Sequence, residues 1–574
     1  MNSGTRWWLA GTACLVLAAC GGGGSSAPPE AAGPEVRQLA QGAVKGSNDA
    51  ATQGTYSWKG IPFAQPPVGA QRWKAPAPVA TWSGTRDATV FGAACLQNGR
   101  LYGPGANNRY DATIGTTLNT PVGSEDCLFL NVWRPATDAT GLPVIVFVHG
   151  GSNITGYTAD PIYDGAALAR AANAVVVTLN YRLGVLGFFN LPQLKGGVDS
   201  AEDSGNFALL DIVQGLRFVQ QNAAAFGGHA GNVTLMGQSA GATNVWSLVA
   251  SPLGAGLFHK AVPISGGISL ASNLPPGTIP SLNPAATSLA QANTLLARLL
   301  IADGLASDLT SAQAYVATQS SAQVAAYLRG KAGSAILTTL LTNGLTGSGP
   351  IPDGAVLPLD PISAMAAGHY NAVPVLAGTT LEEGKLFPSF LTLLGGPPGF
   401  IITDAQLFDL WASFNPDAPT PLTEGDILNA AYVPASTPVT GWTARAAQLT
   451  AASFNVGRDN VLNTLRTRQA EVWHYQFDWA QQPAPWNTVY GAAHAFDLPF
   501  LFGNFGPSLF SNAIGGNANR GGRLALSDHM MASLGSFART GNPNHAVLGA
   551  SWQPWPAQVH FNASQTSAQI STTP

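Results

Sequence analysis

One pentapeptide, Gly237-Gln238-Ser239-Ala240-Gly241, carries the pattern G-x-S-x-G. A serine presented in such a turn can attack an acyl carbon if a base takes its proton and N–H donors receive the oxyanion. The pattern alone is weak here. The chain has 66 glycines and 38 serines, enough for about half a chance match. Its setting strengthens it. The β-branched run NVTLMG (232–237) leads directly into it, and a helical pattern (239–250) leads out. A sharp strand-to-helix turn would project the Ser239 hydroxyl, and small flanking residues would let strand and helix approach. The helix N-terminus would favour developing negative charge.

Oxyanion donors are expected from the Ala240 N–H and from a second loop. His149-Gly150-Gly151-Ser152 follows the strand-like run PVIVFVHG (143–150). The N–H groups of Gly151 and Ser152 are the candidates, since glycines let a backbone turn its donors inward. The alternative is a plain glycine turn.

Elements that could position these residues are legible as buried strands. Besides 143–150 and 232–237 they are 174–182, 260–265, 373–378 and 471–477. Residues 206–226 place Phe207, Leu210, Val213, Leu216 and Val219 on one helix face. Strands alternating with helices predict an α/β fold around a mainly parallel sheet. Two long segments, about 268–348 and 386–468, break the rhythm. They read as helical insertions forming a lid or gorge wall over the site.

Composition narrows the function classes. The 574-residue chain is 46% apolar and only 10% charged, with a net charge of −4 and no basic run. It can bury a large core, and nucleic acid is not an expected partner, because phosphate binding needs clustered cations. Cys95 and Cys127 lie too far apart for a zinc knuckle, and no Cys or His cluster accompanies them. No metal or organic cofactor is expected.

Residues 1–19 read as a signal peptide, with Arg6 before a short apolar stretch ending Leu17-Ala18-Ala19-Cys20. That ending resembles a bacterial lipobox, in which the cysteine is lipidated after cleavage. Residues 20–34 would be the lipidated Cys20 and a flexible tether, and 35–574 the catalytic domain. The alternative is an ordinary secretory signal. Either way the body is exported, so a Cys95–Cys127 disulfide is plausible. With the lipid, the protein would sit in the bacterial cell envelope, meeting the membrane only through that anchor.

Segments along nearly the whole chain resemble the type-B carboxylesterases, the family of cholinesterases, carboxylesterases and bacterial para-nitrobenzyl esterases. They include GIPFAQPPVGAQRW (60–73), SEDCLFLNVW (124–133), NYRLGVLGFF (180–189), NVTLMGQSAG (232–241), LAGTTLEEG (376–384) and HAFDLPFLFG (494–503). The resemblance implies an α/β-hydrolase fold and hydrolysis of small-molecule carboxylic esters. It puts the triad acid on Glu383, with Glu382 as the neighbouring alternative, and the base on His494. The order Ser239…Glu383…His494 is that of α/β-hydrolases. It also implies a Cys95–Cys127 disulfide, the ion pairs Arg72–Glu125 and Arg182–Asp211, and Ser265 as a supporting serine behind the nucleophile.

Departures from the family pattern bear on the substrate. Gln238 stands where many members carry Glu, which removes an anion beside the nucleophile. The loop reads HGGSN, so Asn153 would make the entrance more polar; Asn153 and Gln238 are candidate substrate contacts. No Trp lies between Cys95 and Cys127 to cradle a quaternary ammonium. Neutral, fairly hydrophobic esters are expected, and choline esters should be poor substrates. A polymer esterase, lactonase or amidase with the same triad, or a non-catalytic cholinesterase-like binding module, are the competing functions.

Overall fold

The computed structural model describes residues 33–345 and 349–573, so the expected signal peptide, Cys20 and nearly all of the expected tether lie outside the described residues. The chain divides into two units, 1–33 and Pro34–Pro574. The sheet, its cores and Ser239, Glu383 and His494 all belong to the second.

Eleven strands pair into one sheet. In chain order they are β1 (Ser47–Asp49), β2 (Thr55–Pro62), β3 (Phe129–Pro135), β4 (Leu142–Val148), β5 (Val175–Leu179) and β6 (Gly228–Gln238). They continue with β7 (Lys260–Ile264), β8 (Val375–Thr380), β9 (Val472–Phe477), β10 (Gln558–Ala563) and β11 (Ala568–Thr573). Across the sheet the order is β11-β10-β9-β8-β7-β6-β4-β5-β3-β2-β1. The run from β10 through β5 is parallel, and both margins are antiparallel. All six predicted strands lie in the parallel centre.

The parallel centre follows from its residues. β4 is buried along its whole length, as a strand covered on both faces must be. Val144, Val146 and Val148 join the core on one face, while Ile145 and Phe147 join the core on the other. Helices α1 (Phe207–Asn222) and α2 (Ala240–Ala250) follow β5 and β6 and pack into the first core.

The two irregular segments behave differently. Helices α3 (Ala285–Ala302), α4 (Leu309–Ala317), α5 (Ser321–Arg329) and α6 (Gly333–Thr342) build a separate apolar cluster against Trp73, Val185 and Phe189. Residues 386–468, which include α7 (Asp404–Ser413), lie over the functional cavity. The expected ion pairs are present. Arg72 makes a two-pronged contact with Glu125 at 2.6 and 2.6 Å. Arg182 grips Asp211 on α1 at 2.8 and 2.7 Å. Cys95 and Cys127 form a disulfide.

Candidate active site

Ser239 sits between β6 and α2 with φ 58° and ψ −125°, a conformation that costs a side-chain-bearing residue about 1–3 kcal/mol. Its surroundings hold it there. The Ser239 N–H donates to Ile264 O of β7 at 2.8 Å, and its carbonyl accepts from Thr243 N at 3.0 Å. The closing Gly241 is required by contact, since a Cβ there would lie 2.1 Å from Val148 O. Of ten non-glycine residues with positive φ among the described residues, five surround this point: Ser152, Asn153, Ser239, Ser265 and Ala495. Such clustering is characteristic of functional sites.

Glu383 opens the turn after β8 and is fully buried. Its Oε2 meets His494 Nδ1 at 2.5 Å, while Oε1 accepts from Ser265 Oγ at 2.6 Å and Thr380 N at 2.8 Å. A carboxylate so fully occupied fixes the ring orientation and leaves the proton on Nδ1. Ser265 thus donates its hydroxyl to Glu383 while its chain neighbour Ile264 accepts from Ser239 N, so it stands behind both. Neighbouring Glu382 faces elsewhere. It accepts from Ala492 N at 2.9 Å and pairs with Lys385 at 2.7 Å. One acid holds the ring and the other holds the loop that carries it.

His494 Nε2, the atom a serine hydroxyl would need, accepts from Gln238 Nε2 at 3.0 Å. Among the described residues, the Ser239 hydroxyl makes no hydrogen bond. Phe387 and Phe454 pack on the His494 ring at centroid distances of 4.9 and 5.1 Å, so the 386–468 segment shields the base from water.

The glycine loop leans on the nucleophile. A Cβ on Gly150 would come within 2.9 Å of the Ser239 Cβ. Among the described residues, the N–H groups of Gly151 and Ser152 donate to no protein acceptor, and Ala240, first in its helix, has no intrahelical acceptor. These three are free for a ligand oxygen. His149 is not a second base. Burial lowers its pKa to about 4, and its carbonyl accepts from Tyr181 Oη at 2.8 Å.

Asn153 corrects the sequence reading. Its side chain accepts from Asn244 Nδ2 on α2 at 2.9 Å, it is 3% exposed, and it does not line the cavity. The positive φ at Ser152 and Asn153 turns the side chain inward, so it braces the loop instead of meeting substrate. Gln238 does line the cavity.

That cavity measures about 410 Å³ and opens onto Ser239, His494, Gly151 and Ser152. Its walls are largely apolar and include the rings of Tyr102, Tyr163, Phe387, Phe400, Tyr490 and Phe510. Residues 386–407 supply much of the lining and residues 285–345 supply none. Two carboxylates that sequence reasoning missed, Asp160 and Asp404, also face it. Burial raises Asp160 to about 6, opposed by the Ile162 N–H; it therefore remains mainly ionised at neutral pH. Gln238 removes one anion beside Ser239, but these two remain in the wall. A third missed acid, Asp497, lies behind the site, where Tyr475 Oη donates to it at 2.8 Å. Burial and, secondarily, Glu383 raise it to about 7, against the Tyr475 bond and His494. No residue spacing marks any of these acids.

Known proteins share this arrangement at chain scale. A profile described as "Carboxylesterase family" matches residues 33–573. The para-nitrobenzyl esterase of Bacillus subtilis is 32% identical over 90% of this chain and 91% of its own. Human carboxylesterase 3 is 33% identical over 99% and 91%, respectively. Among solved structures, a PNB esterase superposes with a TM-score of 0.69 at 28% identity, covering 94% of this chain and 97% of that one. A carboxylesterase of Geobacillus stearothermophilus gives 0.68 at 28%, with coverage of 94% and 98%. The fold is that of the α/β-hydrolases, and the chain, a carboxylic ester hydrolase, belongs to the carboxylesterase family.

Proposed function

We propose that this esterase works through an acyl-enzyme on Ser239. The observation that carries the reading is the buried 2.5 Å contact between Glu383 and His494 Nδ1, which leaves Nε2, now held by the Gln238 amide at 3.0 Å, as the basic atom of the cavity that Ser239 also lines. His494 Nε2 takes the hydroxyl proton as Ser239 Oγ attacks the ester carbon. Negative charge forms on the carbonyl oxygen and is received by the N–H groups of Gly151, Ser152 and Ala240. The intermediate collapses as His494 returns the proton to the departing alcohol. Water then attacks the acyl-enzyme by the same route and releases the acid. Before the first proton moves, the Gln238 amide must yield Nε2 to Ser239.

Neutral, fairly hydrophobic esters are the proposed substrates. The apolar walls with their aromatic rings suit them, and the two acids Asp160 and Asp404, set against the one cation Arg100, disfavour an anionic ester. A panel of para-nitrophenyl esters of rising acyl length tests this, with a hemisuccinate ester as the anionic comparison. Ser239→Ala should lower kcat/KM by at least about 10⁴ across the panel, and the hemisuccinate should be the poorest substrate. Near-normal turnover by Ser239→Ala would remove the acyl-enzyme, and a preferred hemisuccinate would remove the substrate assignment.

We also propose that the mature protein is exported and lipid-anchored through Cys20, on the lipobox-like Leu17-Ala18-Ala19-Cys20. Cys20→Ser should move the enzyme out of the membrane fraction; retention there would rule the anchor out.

A further inference from the structure

Behind the catalytic cavity lies a separate, more open crevice of about 540 Å³. Helix α7 separates the two, with Asp404 and Leu407 facing the catalytic cavity and Phe408 and Ala412 facing the crevice. Arg523 and Arg520, from the first turn of helix α8 (Arg520–Thr540), line the crevice.

Arg523 is only 7% exposed, yet among the described residues its guanidinium has no hydrogen-bond acceptor, and its Nε is buried without a partner. It stacks over Phe505, 4.7 Å from the ring centroid. Gly515 makes room for it: a Cβ there would lie 2.2 Å from Arg523 Nη1. The acids of the crevice are already engaged. Asp417 accepts from Asn517 N and Nδ2 at 2.6 and 2.9 Å, and Asp111 accepts from Thr113 N at 2.8 Å and from Asn107 Nδ2 at 3.3 Å. Burial, with Arg520 adding to it and Asp417 opposing it, lowers the Arg523 pKa from its ordinary value. A desolvated cation without an acceptor is costly, and a guanidinium fork matches a planar or tetrahedral oxyanion.

We propose that this crevice is a binding site for a small oxyanion, a carboxylate or a phosphate group, held by Arg523 and Arg520. Arg523 supplies the buried fork, exposed Arg520 adds a second cation at the mouth, and Phe505 and Phe408 accommodate an apolar body. The site is independent of the Ser239 chemistry.

Calorimetric titration of the full chain at low ionic strength tests it, with sodium butyrate in one arm and sodium phosphate in the other. Saturable one-site binding of either anion is expected; the arm that binds identifies the source. Arg523→Met should abolish it. Arg520→Glu, a surface change that leaves the fold intact, should weaken it at least tenfold while para-nitrophenyl butyrate turnover at low anion concentration stays unchanged. The proposal is overturned if neither anion binds, or if binding survives Arg520→Glu at undiminished affinity.

Discussion

Gln238 and Ser239 are chain neighbours that, in the proposed mechanism, compete for one lone pair, that of His494 Nε2. The amide holds it at 3.0 Å in the structure. A carboxylate in its place would favour the imidazolium instead. Gln238→Glu should therefore move the acidic limb of the kcat/KM–pH profile upward by about one pH unit or more, with the alkaline limb little changed. A superimposable profile would show that position 238 does not govern the base. The positions of Ser239, Glu383 and His494 are legible in the sequence because each sits in a local motif. The Gln238–His494 bond is not, because it joins side chains 256 residues apart. Asn153 misleads for a related reason: which way a side chain points out of a glycine turn depends on backbone angles that composition does not encode.

At the level of elements, the central strands are readable because a parallel strand buried on both faces must be a continuous apolar run. The margins are harder to read. β2 and β3 mix polar and apolar residues even though β3 is buried along nearly its whole length, and β10, beside the antiparallel edge strand, alternates in burial. The lid expectation divides likewise: helical periodicity reveals α3 to α6 but not which cavity they approach. The β4–Gly150 junction yields a direct test. Gly150→Ala would set a methyl 2.8 Å from Gln238 O and 2.9 Å from the Ser239 Cβ. A displacement of about 1 Å between the oxyanion loop and the nucleophile should cost roughly 10²-fold in kcat/KM, with an unchanged far-UV spectrum. Full activity would mean that this contact does not position the loop.

For the whole molecule, Asp497 links the site to global stability. Its ordinary pKa is 3.8, and burial raises it to about 7 in the folded chain. Between those values the folded chain holds a proton that the unfolded chain releases. Its stabilising contribution is complete below pH about 4 and is lost as the pH rises toward 7. Asp497→Asn carries no such proton, so its Tm relative to wild type should climb between pH 4 and 7 and level off above. Parallel Tm curves across that window would refute the shift. Composition foretold a large core, but no stretch of sequence distinguishes a buried Asp from a solvated one.

The strand order also sets a timetable. β6, which leads into Ser239, pairs with β4 from the preceding hundred residues and with β7 directly after it. His494 follows β9, whose outer neighbour is β10 at Gln558–Ala563. A chain emerging N-terminus first can therefore build the strand that leads into Ser239 long before His494 exists. In the proposed mechanism Ser239 then stays chemically dormant until nearly the whole polypeptide has been made, and no N-terminal fragment ending before residue 494 should acquire the activity.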